Sequence, residues 1–144
     1  MTIAVASSPV PQPAAAGRAD YQPGVCNIGP EEIARRRRAG NVGALITLVG
    51  FAALTALHAP PLARLLLALP AAGAASGYLQ AWLRFCAGFG SRGVFNFGEV
   101  GEISPVAEPA ERARDRIRAT QIGLASLAIG VAVAIVAVVL PLQG

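Results

Sequence analysis

The sequence predicts an all-α membrane protein with three transmembrane helices, an antiparallel hairpin plus a third span, with a short juxtamembrane helix ahead of them. Three observations predict it. Hydrophobic residues make up 54% of the 144 residues and charged residues only 14%, against about 25% charged in a soluble domain. Three runs carry no charge: between Arg38 and Arg64, between Arg64 and Arg84, and from Ala119 onward. Each holds about the 20 apolar residues needed to cross a bilayer's hydrocarbon core. The apolarity comes from Ala, Leu, Val and Gly at a mean hydropathy of +0.55, and small residues let helices approach closely in lipid. Three buried helices of a soluble core would need polar partner helices that this sequence lacks.

Residues 1–25, rich in Ala, Pro, Ser and Gly, lack periodicity and read as a disordered tail. No basic region follows Met1 and the apolar stretch Ile3–Ala6 is too short for a secretory signal. Val25 stands where a lipoprotein cysteine is preceded by a small residue, so Cys26 is not in that context. Residues 26–40 form a juxtamembrane segment. Pro30 fits a first helical position, Glu31 and Glu32 suit the positive end of a helix, and Arg35 to Arg38 fall later. Gly40-Asn41 follows as a hinge or a continuation.

The first span is expected at 41–59, closed by Pro60-Pro61, which cannot continue a helix. The second is expected at 62–85, kinked at Pro70, with Ser76 and Gln80 on one stripe and Tyr78 and Trp82 on another. The short link between them forces an antiparallel hairpin. Residues 86–118 form a connecting segment, glycine-rich and then charged, with a helix start at Glu108-Pro109. The third span is expected at 119–141.

Charge sets the orientation. All twelve basic residues are Arg. Arg35 to Arg38, Arg84, Arg92 and Arg112 to Arg118 fall on one side of this arrangement, and Arg64 on the other. The positive-inside rule then places the N-terminus and the 86–118 segment in the cytoplasm of a bacterial inner membrane, with Gln143-Gly144 outside. The net charge of +4 is explained by anionic headgroups. A nucleic-acid partner is not expected, because no aromatic platform is interleaved with the arginines.

Gly88-Phe89-Gly90-Ser91-Arg92-Gly93 matches the G-x-G-x-x-G spacing of dinucleotide loops. That fingerprint works where a strand enters the glycine turn and a helix leaves it. Here a transmembrane helix precedes it, a strand-like stretch follows, and no βαβ unit fits. The match is accidental. The glycines are expected to end the second helix and turn the chain, folding Phe89, Phe95 and Phe97 back to the membrane interface.

Candidates for chemistry are few. Cys26, Asn27, Cys86, Arg92 and Asn96 share the cytoplasmic face in this topology and form one candidate cluster, a thiol-redox or small-molecule site. Against it, a free cysteine is commonly just a buried packing residue. Two cysteines and one histidine do not make a four-ligand zinc site unaided, so no metal, cofactor or catalytic residue is assigned. His58 reads as an exposed loop residue. The span centres lack Asp, Glu, Lys and Arg, which argues against ion-coupled transport by this chain alone. Gly73 and Gly77, and Ser126, Gly130 and Ala134, form packing faces beyond what one three-helix bundle needs. The expected function is therefore a non-enzymatic accessory, assembly or scaffold subunit, its partners being the lipid bilayer and other membrane subunits or a second copy of itself.

The stretches CNIGPEEIARRRRAG, GYLQAWLRFCAGFG and GVFNFGE resemble a family of small bacterial integral membrane proteins of actinobacterial type. The resemblance covers residues 24–118 and, more loosely, the last span. It implies no activity. It does imply that Cys26, Asn27 and the Phe95-Asn96-Phe97 loop belong together.

Overall fold

Pro30 opens the first helix and nothing stops it until Leu57. The computed structural model, which describes residues 20–140, therefore has one continuous helix α1 over Pro30–Ala56. The juxtamembrane helix is its first turns, and Gly40-Asn41 is a continuation. The end of α1 is a tight six-residue cap. Ala59 donates its amide to the Leu54 carbonyl at 3.0 Å, His58 donates to Thr55 at 3.1 Å, and His58 takes the left-handed conformation at φ 51°.

Pro61 then starts a 3-10 segment, Pro61–Leu67, which runs directly into helix α2, Ala68–Trp82. Pro70 is the third residue of α2, three residues past this change of helix type. A second cap of the same kind ends α2. Phe85 donates to the Gln80 carbonyl at 3.0 Å with Arg84 left-handed at φ 52°.

The glycine-rich stretch was expected to be a turn, but it contains a short helix α3, Ala87–Arg92. Cys86 is its N-cap: its backbone is extended and its sulfur accepts the Phe89 amide at 3.4 Å. Gly88 and Gly90 are helical, and Gly93 alone turns the chain, left-handed at φ 69°. Strands β1, Val94–Phe95, and β2, Ser104–Pro105, then pair antiparallel. The 88–103 loop is thus a helix followed by a small ladder. Helix α4 runs unbroken over Pro109–Val139, so the charged Arg112–Arg118 stretch and the last span are one 31-residue rod.

Three segments, Pro30–Ala56, Pro61–Trp82 and Pro109–Val139, are long and apolar enough to cross a membrane. The protein is an integral membrane protein with three transmembrane helices. α2 stands between the other two. Ala74 and Gly77 face α1, where a Cβ on Gly77 would lie 2.5 Å from the Gly40 nitrogen. Ala68 and Ala72 face α4, where a Cβ on Gly130 would lie 2.5 Å from the Ala68 carbonyl oxygen. Those two pairs occupy nearly opposite sides of α2 at helical spacing. The bundle is therefore a layer, α1–α2–α4, and α2 keeps an open face on one side, while Ala71 and Ala75 on the other are buried. Leu69 and Gly73 lie on the open face: Leu69 is 76% exposed and a Cβ on Gly73 would meet nothing within 4 Å.

At the arginine-rich end, residues 20–29 fold back as a strap under the layer. Tyr21 stacks on Phe95 with centroids 4.9 Å apart, and Val106 and Phe97 complete this cluster. Phe95 is thus buried among protein side chains. Of the expected tail, 1–25, residues 20–25 are folded into this strap, and 1–19 lie outside the described residues. Pro141 of the third span and Gln143-Gly144 also lie outside them. A second cluster, Phe85, Ala119 and Ile122, fastens the end of α2 to α4.

Candidate functional site

Asn27 lies in the strap and Cys86 at the N-cap of α3, and the structure brings them into direct contact. Asn27 Oδ1 accepts the Cys86 amide at 2.7 Å and Nδ2 donates to the Cys86 carbonyl at 3.1 Å. Both residues are buried. Asn96 joins through the backbone: its amide donates to the Asn27 carbonyl at 3.0 Å, and its own carbonyl accepts the Gly29 amide at 2.7 Å. Its side chain folds the following turn, accepting from Gly98 N at 2.8 Å and donating to Glu99 O at 2.8 Å. Three of the five candidate residues therefore meet. Their side-chain amides are spent on main-chain groups that burial would otherwise leave unpaired.

The Cys86 sulfur has one further partner. Arg36, two turns into α1, places Nη2 2.9 Å from Sγ and its guanidinium carbon 6.0 Å from the Phe89 ring centre. Glu32, one turn earlier, is 1% exposed, and its carboxylate lies 3.7 Å from Arg36 and 3.5 Å from Arg35. The result is a row of Glu32, Arg36 and Cys86 between α1 and α3. In sequence Glu32 reads only as an acid suited to the helix's positive end, and Arg36 as one of a juxtamembrane run. Their i, i+4 spacing on the face that holds Gly40 was the available signal.

Cys26 sits apart. Its sulfur contacts the Ile28 carbonyl at 3.8 Å, and it lines a cleft of about 920 Å³ together with Arg37, Trp82 and Arg84. Both thiols are free. Burial raises the Cys26 thiol pKa above its ordinary value, more than the backbone contact and the Arg84 charge lower it. Arg92 is exposed at the end of α3, and no hydrogen bond or ion pair ties it to the other four.

Asp115 lies within the charged run Arg112–Arg118, yet it is fully buried. Its two oxygens accept the Tyr21 hydroxyl at 2.8 Å and the Gly24 amide at 2.7 Å, so α4 holds the start of the strap. The clue was its register. Asp115, Ala119, Ile122, Ser126, Gly130, Ala134 and Ala137 form the buried stripe of α4.

The packing residues divide. Ser126, Gly130 and Ala134 are buried within the chain, and Gly77 packs on Gly40. Only Gly73 is left open. The surplus of packing faces expected from sequence is largely used up by the chain's own layer. Ser76 and Gln80 also satisfy each other, with Gln80 Nε2 donating to Ser76 Oγ at 2.8 Å and Oε1 accepting Ala87 N at 3.0 Å.

At the opposite end Arg64 is buried. Its Nη1 donates to the carbonyls of Ala137 at 2.9 Å and Leu140 at 3.1 Å, and its guanidinium lies over the Phe51 ring at 5.5 Å. α4 has no basic residue in its own last turn, so Arg64 supplies the positive charge that a helix C-terminus favours. His58 is exposed, as expected for a loop residue.

Among the described residues, no group of three His, Cys, Asp or Glu side chains is placed to hold a metal ion. No protein-family model, curated protein or solved structure matches this chain.

Proposed function

We propose that this chain is a non-enzymatic accessory or assembly subunit of a bacterial inner-membrane complex, engaging a partner helix or a second copy of itself. The observation that carries this reading is the open face of α2. α1 and α4 stand on opposite sides of α2, so Leu69 and Gly73 lie on a face that neither helix covers. A small residue at such a point lets another helix approach closely in lipid, where packing drives association. The polar residues at the arginine-rich end support the same reading. Asn27, Asp115 and the main chain of Asn96 hold the strap in place.

Orientation follows from the arginines. Ten of the twelve, residues 35–38, 84, 92, 112, 114, 116 and 118, lie at one end of the layer, and we place that end in the cytoplasm. The test is purification of the tagged chain from its own membranes in mild detergent, followed by mass determination of what co-elutes. A near-stoichiometric partner or a defined homo-oligomer is the expected result. A monomer both in detergent and in lipid overturns the proposal.

One observation favours a second reading, a thiol site at Cys86. A cation 2.9 Å from the sulfur is a contact that thiol chemistry exploits. Cys86 is 1% exposed, so this reading requires the strap to open. Cys86→Ser with unchanged growth and unchanged thiol labelling of the membrane protein overturns it.

A further inference from the structure

The cleft beside Cys26 is not used by either reading. It lies where three parts of the chain meet at the arginine-rich end: the strap, the first two turns of α1 and the last turn of α2. Its walls differ in character. Ala81 and Trp82 give an apolar side continuous with the membrane-spanning part of α2, Ile33, Ala34 and Leu83 line the outer end, and Arg37 and Arg84 bring two guanidinium groups. Asp20 is the one carboxylate among the lining residues. No protein acceptor is found for either guanidinium among the described residues, and both side chains are exposed. The neighbouring arginines are otherwise engaged: Arg35 and Arg36 face Glu32.

Trp82 lines the same cleft and is 80% exposed at the end of α2. An indole in that position belongs at headgroup depth, which sets the level of the cleft in the bilayer. Arg84 is held there by the backbone. It occupies the left-handed cap of α2, and its carbonyl accepts the Asn27 amide at 3.2 Å, so the strap fixes the direction from which its side chain leaves. Arginine suits phosphate because its planar fork donates in pairs.

We propose that this cleft seats the phosphate of an anionic phospholipid, between Arg37 and Arg84, with the lipid's acyl chains descending past Trp82 and Ala81 along α2 towards its membrane-spanning residues. The apolar wall favours a lipid over a free phosphate compound, which would leave that wall in water. The strap then builds one side of a lipid site.

Native mass spectrometry of the intact protein, exchanged into micelles containing equal phosphatidylglycerol and phosphatidylcholine, tests this. One phosphatidylglycerol is expected to remain bound in preference to phosphatidylcholine. Retention should fall roughly fivefold for each of Arg37→Gln and Arg84→Asn; Asn tolerates the left-handed backbone at position 84. Arg37→Lys should restore most of it, which separates lost charge from lost folding. Arg114→Gln with Arg116→Gln, on the exposed side of α4, should leave it unchanged. Equal retention of both lipids, or equal loss in the α4 control, overturns the proposal. Displacement of the lipid by inorganic phosphate, with no preference between the two headgroups, overturns the lipid assignment and makes the cleft a site for a soluble phosphate compound.

Discussion

The side-chain amide of Asn27 closes a two-bond ring with the main chain of Cys86, 2.7 Å at the amide and 3.1 Å at the carbonyl. An asparagine is the one side chain of this length that offers both an acceptor and a donor in a neutral, planar group. Aspartate lacks the donor, and alanine lacks both. Asn27→Ala is expected to cost about 2–4 kcal/mol, since two buried main-chain groups lose their partners. Asn27→Asp is expected to cost at least as much, because a buried carboxylate oxygen would face the Cys86 carbonyl. Thermal unfolding in detergent, followed by circular dichroism, reads the order directly.

The strap has a second anchor at Asp115, and it can be loosened without touching Cys86. Tyr21→Phe removes one hydrogen bond to a buried carboxylate and is expected to cost about 1.5–3 kcal/mol. Its effect should be local. Limited proteolysis should cut between residues 20 and 29 faster, while the transmembrane layer keeps its helicity. Loss of helicity throughout would mean that the strap is part of the membrane fold and not a rim fastened to it.

Gly73 and Gly77 lie one turn apart on α2 and should respond in opposite ways. A Cβ at Gly77 would stand 2.5 Å from the Gly40 nitrogen and 2.7 Å from its Cα, so Gly77→Ala must push α1 away. A cost of about 1–3 kcal/mol is expected. Gly73→Ala meets nothing within 4 Å and removes a helix-weakening glycine, so a change between zero and about 1 kcal/mol in favour of the fold is expected. The comparison is made on the isolated protein in detergent, where no partner contributes.

The two thiols should differ in rate and in pH dependence. Cys26 opens on the cleft and Cys86 is 1% exposed, so a maleimide should label Cys26 first and Cys86 only after unfolding. Burial raises the Cys26 pKa, and the thiolate is the reacting form. The midpoint of its labelling rate should therefore lie above that of a free thiol in the same buffer. The sign for stability follows. A raised folded-state value favours the protonated thiol, so its contribution is complete below the unfolded value and is lost as pH rises through the folded one.

Arg64 ties the start of the second span to the end of the third. Arg64→Met keeps the stem and removes both bonds to the α4 carbonyls. A loss of about 2 kcal/mol is expected, with fraying confined to the end of α4 near Ala137 in hydrogen exchange. Uniform loss of protection along α4 would contradict the capping role.

Much of this was legible in the sequence, and the reason is that lipid imposes simple rules. The three charge-free runs mark the spans, because an unpaired charge or backbone group in hydrocarbon is too costly. Pro60-Pro61 and Pro109 mark their bounds for the same kind of reason, a missing donor. What the sequence hid was long-range. Nothing local to Asn27 says that its partner is Cys86, and nothing local to Asp115 says that Tyr21 will reach it. Gly88 and Gly90 read as helix breakers, yet α3 forms because Cys86 caps it and because Gly90 fits against the Phe85 ring, where a Cβ would come within 2.7 Å. Tertiary contact overrode propensity there. The register of Gly40, Gly43 and Gly50 along α1 was readable as a packing seam, but Gly40-Asn41 read as a hinge or a continuation instead.

An accessory subunit of this kind must have the open face of α2 covered by protein in the membrane. A photo-crosslinking residue placed at Leu69, beside Gly73 on that face, and another at Leu48, 67% exposed on α1, answer this in native membranes. A single protein adduct from Leu69, abolished by Gly73→Leu, with only lipid adducts from Leu48, is the expected result. Lipid adducts alone from both positions would mean that this face is covered by acyl chains, and the accessory-subunit reading would fall.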